Sequence, residues 1–496
     1  MNPSPHPDPL RWKALALLCA ADFMVILDAQ IVILALPSIQ RDLGFSGGGE
    51  QWVMSAYLLT FGGLLLLGGR SADLLGRRRM FMIGTALFLF SSLLCGFAWT
   101  GGTLIVARVL QGVSAAIMAP TALSILMTTF DEGTERNKAL GVWSAVGGVG
   151  ATAALLVGGP LTSWLGWEWI FFINVPVALV LFGLSPVLLK ESRAATRGRN
   201  FDLAGAVTIT AALALLVYAV VEAPDIGWSH PRTLLLHCLS ALLIAVFVLV
   251  ESRSRAPLAP LRIFRSRALA GGNLVLLLLG MAAWGMSFTV SEYAQQVLGY
   301  SALMFGLSSA VMPVMAAVGS VAGQAVVTRT GPRRVAMAGM ALTGIGCLLL
   351  AQVSVGGSYF EDLFLGLLVF GPGLGAAFVA ASVASLAGVA ERESGLASGL
   401  NTASFQIGGA FGVAILSTVG MPGAGAHPPL DVLTEGFRTD FAASIAFSAA
   451  ALLVALLLPG RIRRARGVEP ALSKREGTTL TKHTEECILI PSANAS

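Results

Sequence analysis

Long apolar runs alternate with short polar connectors along the whole chain. A helix needs about 20 apolar residues to cross a bilayer. Fourteen such runs can be marked, at roughly 14–36, 51–69, 80–99, 103–128, 138–163, 169–190, 203–222, 233–251, 269–290, 302–328, 334–353, 360–385, 396–418 and 438–459. The connectors carry the charge. "GGRSADLLGRRRM", Gly68 to Met80, puts one acid and four arginines between two apolar runs. Lys and Arg collect on the cytoplasmic side of a membrane protein. With a cytoplasmic N-terminus, Arg41, Arg232 and Arg438 alone fall outside, and Arg108 alone within a span, of the 32 Lys and Arg. A wrong span count would scramble that alternation. The expected fold class is an all-α integral membrane protein with 14 spans and both termini in the cytoplasm.

Composition agrees. Of 496 residues, 55% are hydrophobic and 12% charged, about half the charge of a soluble domain. Too little polar surface remains to cover a water-soluble particle. The net charge of +5 is spread over short loops and not gathered on a face, so no nucleic-acid partner is expected. Arginine exceeds lysine, and Ala and Gly abound, as in high-GC bacterial genomes. Cys19, Cys95, Cys238 and Cys347 lie in apolar runs and Cys487 in the tail, with no C-x-x-C. They read as small hydrophobes, without disulfides or zinc. The histidines are scattered, and no phosphate-binding G-x-x-x-x-G-K-[ST] occurs. Neither an enzyme nor an ATP-driven pump is expected, and no cofactor or metal. The start, "MNPSPHPDPLRWK", is Pro-rich and polar and reads as disordered. The first run contains Asp22 and Asp28 and no cleavage signal follows it, so it reads as a first span.

An internal echo suggests duplication. Gly76 and Gly331 each open a Gly-x-Arg-Arg connector, half a chain apart. Transporters are often built from related halves. The expected organisation is a disordered segment 1–13, a six-helix bundle 14–200, two linking spans within 201–266, a second bundle 267–460 and a polar tail 461–496. "GPGLG", Gly371 to Gly375, lies in an apolar span and reads as close helix packing.

A charge at membrane depth is costly and marks a functional hypothesis. Asp28 lies roughly 12 Å from the outer end of its span, and Arg108 at a similar depth in span 4. A protonatable acid beside a fixed guanidinium can exchange a proton or a cation for its partner; the alternative is a structural ion pair. Arg108, Gln111, Gly112 and Ala115 share one helical face, which suits either a cavity wall or a helix contact. Asp22 lies on a different face, at a cavity or near the inner interface. In span 5, Gly147, Ala151, Ala154 and Gly158 make a smooth stripe on which a neighbour can slide, with Pro160 after Gly158 and Gly159 as a kink. Glu292 and Glu222, and the pairs Trp52/Tyr57 and Trp167/Trp169, fall near outer span edges and read as interfacial.

Several stretches, in order, resemble the major facilitator superfamily, in its fourteen-span drug:proton antiporter branch. They are "LDAQIVILALPSIQRDL", "QWVMSAYLL", "GGRSADLLGRRR", "ARVLQGVSAA", "GWEWIFFINVP", "YAQQVLGYSALMFGL" and "SGLASGL". Gln30, Ile33, Leu74 and Glu168 depart from the usual residues. In the span-5 motif Gly150, Gly158 and Gly159 fit, while Ala154 and Leu155 replace a Gly-Pro pair. The resemblance implies a monomer in the bacterial cytoplasmic membrane. It implies alternating access powered by the proton gradient, with an amphipathic small molecule and protons as ligands. Asp28 would then take the proton, Arg108 would tune it, and Gln111 and Asp22 would join the coupling site. The alternatives are a dedicated exporter of one endogenous metabolite and, from another class, a non-transporting membrane sensor. The first connector becomes a gate. Asp73 would attract the positive N-terminus of a helix in the other bundle, and Gly69 would allow close approach. Arg77, beside Gly76 and Arg78, would hold Asp73 in the outward-facing state. The alternative is a loop that only sets topology.

Overall fold

In a hydrocarbon solvent each backbone polar group must be satisfied within the segment, and a helix does this. The computed structural model describes residues 10–45, 49–130, 134–193, 202–254, 257, 261–387, 389, 394–420 and 429–458. It is helical, with no strand among the described residues. The helices are α1 (Arg11–Leu43), α2 (Gln51–Leu75), α3 (Arg77–Gly96), α4 (Gly101–Thr129), α5 (Thr134–Trp164), α6 (Trp169–Phe172), α7 (Asn174–Leu188), α8 (Leu203–Ile226) and α9 (Pro231–Arg253). They continue as α10 (Arg267–Gln296), α11 (Ala302–Ser309), α12 (Val311–Thr330), α13 (Pro332–Leu350), α14 (Leu365–Leu386), α15 (Ser394–Val419) and α16 (Leu430–Ala455). Among the described residues, 14 helical stretches are long and apolar enough to span a membrane. In these stretches α6 and α7 share one span, and so do α11 and α12.

Each predicted run has its helix, with two corrections. The helix of the first span begins at Arg11, so residues 11–13 are helical and not disordered as expected. The last helix runs Leu430–Ala455, not 438–459. Its first two turns carry charges that a hydropathy window rejects. Glu435 and Arg438 pair there at 3.2 Å, and Asp440, one turn on, is buried. Residues 1–9 and the polar tail 461–496 lie outside the described residues.

Caps set several helix ends. Thr100 and Thr103 form a reciprocal capping box at the start of α4. Asp202, Ser266 and Ser301 accept from backbone N–H groups at the starts of α8, α10 and α11. The repeat seen in the sequence has a backbone counterpart. Gly76 and Gly331 each end one helix and open the next, at φ 111° and 87°. Residues with a Cβ avoid that region.

Contacts are dense among α1–α7, the first group, and among α10–α16, the second, and the two also pack directly on one another, α2 on α15 and α5 on α11. The α8–α9 hairpin packs on α2 from one group and α15 from the other. Close approach rests on small residues. A side chain at Gly280, Gly408 or Gly412 would collide with a carbonyl across the α10–α15 contact. In "GPGLG", a Cβ on Gly371 would lie 2.6 Å from Met312 O and one on Gly373 2.7 Å from Gly339 O. Lipid offers no hydrophobic drive between helices, so such contacts do the binding.

The groups meet where α2 packs along α15, from Ser55 against Ala410 to Leu66 against Gly399, and, away from the Arg-rich connectors, through α1, α5, α10 and α11. Ser291 Oγ donates to Ile33 O at 2.8 Å, and Leu303 N donates to Ser163 Oγ at 3.1 Å. Between the groups lies a cavity of about 1770 Å³. It reaches the opposite end, where Arg70, Asp73 and Arg262 line it.

Candidate functional site

Three helices of the first group meet at one carboxylate, and two more support its partners. Asp28 of α1 and Arg108 of α4 are both fully buried, and Arg108 Nη1 donates to Asp28 Oδ2 at 2.8 Å. Gln111, one turn along α4, donates from Nε2 to Asp28 Oδ1 at 2.8 Å and accepts from Arg108 Nη1 at 2.7 Å. Asn174, at the start of α7, donates to the same Oδ1 at 2.7 Å. Arg108 Nε donates to Val53 O at 3.0 Å, and the guanidinium lies 4.2 Å from the Tyr57 ring centre. Ser92 of α3 accepts from Gln111 at 3.0 Å. A buried pair holds only if hydrogen bonds satisfy what water has left, and here both carboxylate oxygens are engaged. Protonation of Asp28 would cancel the charge that fixes Arg108.

Sequence reasoning paired Asp28, Arg108 and Gln111, and the structure brings them together. It missed Asn174, although "FFINVP" lay in a quoted motif. An amide entering a span is the signal that could have found it. Tyr57 was read as an interfacial anchor and is instead fully buried against Arg108. Trp167 is also buried, donating to Asp42 at 3.1 Å. The face of α4 with Gly112 and Ala115 does not line the cavity. A Cβ on Gly112 would sit 2.6 Å from Tyr57 O, so this face is a tight contact with α2. The α4 residues on the cavity wall are Ala119, Pro120, Leu123, Ser124 and Met127. Asp22, left open between cavity and interface, lines the cavity.

The stripe of α5 divides its work. Gly147 and Ala151 line the cavity. Ala154 is fully buried. A Cβ on Gly150 would meet Ile26 at 3.2 Å, and one on Gly158 would meet Ile31 at 2.5 Å, so the stripe rides on α1. A Cβ on Gly159 would lie 2.8 Å from the Leu303 backbone of the second group. Pro160 sits inside α5, which runs on to Trp164.

The first connector also differs in detail. Asp73 Oδ1 accepts from Arg77 Nη2 at 2.7 Å, in the state open at this end. The pair expected to hold in the opposite state is thus formed in this one as well. In this state a Cβ on Gly69 would meet Pro120 of α4 at an ordinary 3.5 Å, while one on Gly68 would collide with Ala116 O of the same helix. Glu191, which no motif flagged, accepts from the N–H groups of Arg78 and Arg79 at 3.2 Å each. It supplies the negative charge that a helix start favours. Arg78 Nη1 donates to Leu189 O at 3.4 Å.

At the sealed end, Glu292 is buried, not interfacial, with 3% exposure; α1 covers the end of α10 there. Its Oε2 accepts from Gln296. Glu222 is half-buried and takes bonds from Tyr218 and, at 3.0 Å, Arg232. Glu50, just ahead of α2, is 5% exposed, and burial holds its carboxyl above the usual carboxylate range. Among the described residues no group of three or more His, Cys, Asp or Glu could hold a metal.

The sequence model of the Major Facilitator Superfamily matches residues 18–327 and 273–486. The puromycin resistance protein pur8 of Streptomyces alboniger is 38% identical over 462 residues, 91% of each chain. The cephamycin export protein CmcT of Amycolatopsis lactamdurans is 36% identical over 456 residues, 91% of this chain and 93% of that one. The fold resembles that of a bacterial homologue of the human lysosomal transporter Spinster. The TM-score is 0.63 at 16% identity, over 91% of this chain and 97% of that one.

Proposed function

Because the chain belongs to the Major Facilitator Superfamily, and so is a multi-pass transporter of the cell membrane, we propose that it exports amphipathic small molecules, antibiotics among them, in exchange for protons. The names of the relatives, a puromycin resistance protein and a cephamycin export protein, support antibiotic export. The positive-inside rule assigns the Arg-rich connectors to the cytoplasm, so the cavity faces inward and loads from that side. The bundles 14–200 and 267–460 rock about it, braced by the linking pair within 201–266. Dedicated export of one endogenous metabolite is the second reading, favoured by the cephamycin relative.

The observation that carries proton exchange is the Asp28 carboxylate, bound by Arg108, Gln111 and Asn174 at membrane depth. A proton there removes the negative partner of a fixed cation. Arg108 keeps Val53 O and Gln111 Oε1, but α1 loses its strongest tie to α4. The α5 stripe rides on α1, so a shift of α1 passes to the contact between α5 and α11. Proton binding can thus bias the balance of states.

The test is uptake of antibiotic into everted membrane vesicles with an acidic interior. Accumulation should collapse with a protonophore and in Asp28→Asn. Uptake indifferent to both would remove proton exchange, while a resistance panel across many compounds reads substrate breadth.

A further inference from the structure

The second group buries an acid of its own. Asp440 of α16 is 3% exposed. The backbone N–H of Gly420, just past the end of α15, donates to its carboxylate. Its Oδ1 has no partner among the described residues. Ser444, one turn along the same helix, is fully buried, and its hydroxyl is likewise without a partner. Thr289 of α10 is a third such group, fully buried and unbonded. A buried helical hydroxyl ordinarily donates to its own preceding turn. Thr343, Ser385 and Thr434 of the same group do so. Ser444 and Thr289 leave that bond unmade.

Helix register brings the three together. α10 and α16 pack antiparallel. Tyr293 lies on Phe437 at the outer end, ring centres 5.9 Å apart, and a Cβ on Gly271 would touch Leu458 at the inner end. Counted from either contact, Thr289 is level with Asp440, on the face that carries Tyr293. Ser444 follows about 6 Å deeper. Beyond it Ser448 faces the Cys347 thiol of α13. None of these residues lines the central cavity. No cation answers Asp440 among the described residues. Arg438 is spent on Val353 O and Glu435, and Tyr293 on Asp362 and Ser354 O. Glu292 turns to Gln296. α13 adds only Cys347 at this depth, and α15 has no charged residue.

An acid at membrane depth without a partner is costly. A proton would satisfy the carboxylate and leave both hydroxyls as they are. A hard cation takes oxygen ligands, carboxylate and neutral alike, and one ion between Asp440 Oδ1, Ser444 Oγ and Thr289 Oγ1 answers all three. One acid balances one charge, so the ion is monovalent. We propose that Asp440, Ser444 and Thr289 form a binding site for a small alkali cation inside the second group, approached from the outer end where α16 begins. The site is separate from Asp28 and does not rest on the export reading. When filled, it ties α10 to α16 where the two helices share no other polar bond at that level.

The probe is sodium, added as chloride to the purified full chain in detergent and matched against choline chloride at constant ionic strength. Thermal midpoint and equilibrium binding of radioactive sodium are both read. The wild-type midpoint should rise saturably with sodium and not with choline. Asp440→Asn keeps the shape of the side chain and should abolish both the rise and the binding. Thr289→Val and Ser444→Ala should each raise the half-saturating sodium concentration at least about fivefold. Equal midpoints in sodium and choline overturn the proposal, as does a sodium response that survives Asp440→Asn. A midpoint that follows pH through Asp440 and ignores sodium makes the acid a proton site and overturns it too. Should Asp440→Asn fail to fold, Thr289→Val decides, since it leaves the acid in place: an unshifted half-saturation overturns the site. Binding is read without transport, so the result stands apart from the export reading.

Discussion

Replacing Arg108 with Met takes away the guanidinium that Asp28 faces and keeps much of its volume. Arg108 donates to Asp28 at 2.8 Å, Gln111 at 2.7 Å and Val53 O at 3.0 Å. The variant leaves a fully buried carboxylate with two neutral donors, Gln111 and Asn174. Breaking a buried pair from one side costs about 3–5 kcal/mol. The carboxyl can escape by taking up a proton, which sets a ceiling. From the ordinary aspartate value of about 3.9 to pH 7, at 1.36 kcal/mol per unit, protonation costs about 4 kcal/mol. At pH 5 the same step costs about 1.5 kcal/mol. The penalty of Arg108→Met should therefore shrink as the pH falls. Adding Asp28→Asn removes the stranded charge, and the double variant should recover all but about 1 kcal/mol at pH 7. Unfolding free energies from SDS titration in mixed micelles, run as a double-mutant cycle at both pH values, provide the measurement. A single-variant cost below about 1 kcal/mol at pH 7, or a double variant no better than the single, would refute a charged pair.

Asn174→Leu removes a donor to a charged oxygen and should cost about 1.5–3 kcal/mol in the same titration; a neutral effect would show that Asp28 does not need it. Asp73→Asn loosens a part-exposed pair with Arg77 and should move stability by no more than about 0.5 kcal/mol. Its export should nonetheless fall at wild-type membrane abundance, because the acid is needed when this end closes; normal export would return the connector to a topological role. Glu50→Gln tests a carboxyl raised by burial. The folded state there holds its proton more tightly than the unfolded state, so wild-type stability falls as pH rises from the ordinary carboxylate range through the raised value. Glu50→Gln should gain in thermal midpoint over wild type from pH 4 to pH 8, and a constant difference would count against that burial.

Much of the fold was legible because span length and loop charge are one-dimensional signals. An apolar run fixes a helix wherever it packs, and Gly76 and Gly331 announce sharp turns without any neighbour being known. The central pair was legible too, since Asp28 and Arg108 each break an apolar run and an unpaired charge there is too costly. The surroundings of that pair, and the acid at the sealed end, were not. Asn174, Tyr57 and Glu292 sit near span ends, where a polar atom can face lipid headgroups or protein. Sequence position does not distinguish the two; the neighbouring helix does, by covering Glu292 and Tyr57 and turning Asn174 onto Asp28.

By itself the sequence determined the membrane-spanning helices, of which the described residues hold 14 long and apolar enough to cross, and that charge is buried within them. The reason is solvation: hydrocarbon selects for apolar length and penalises lone charges regardless of partners. Only the tertiary structure decided which faces are walls and which are contacts. Small residues read alike in either role, as on α4, where the Gly112 face packs against α2 and the cavity begins one turn beyond. It also decided which acid of α1 is held by partners and which faces the cavity, because that follows from what stands opposite each one.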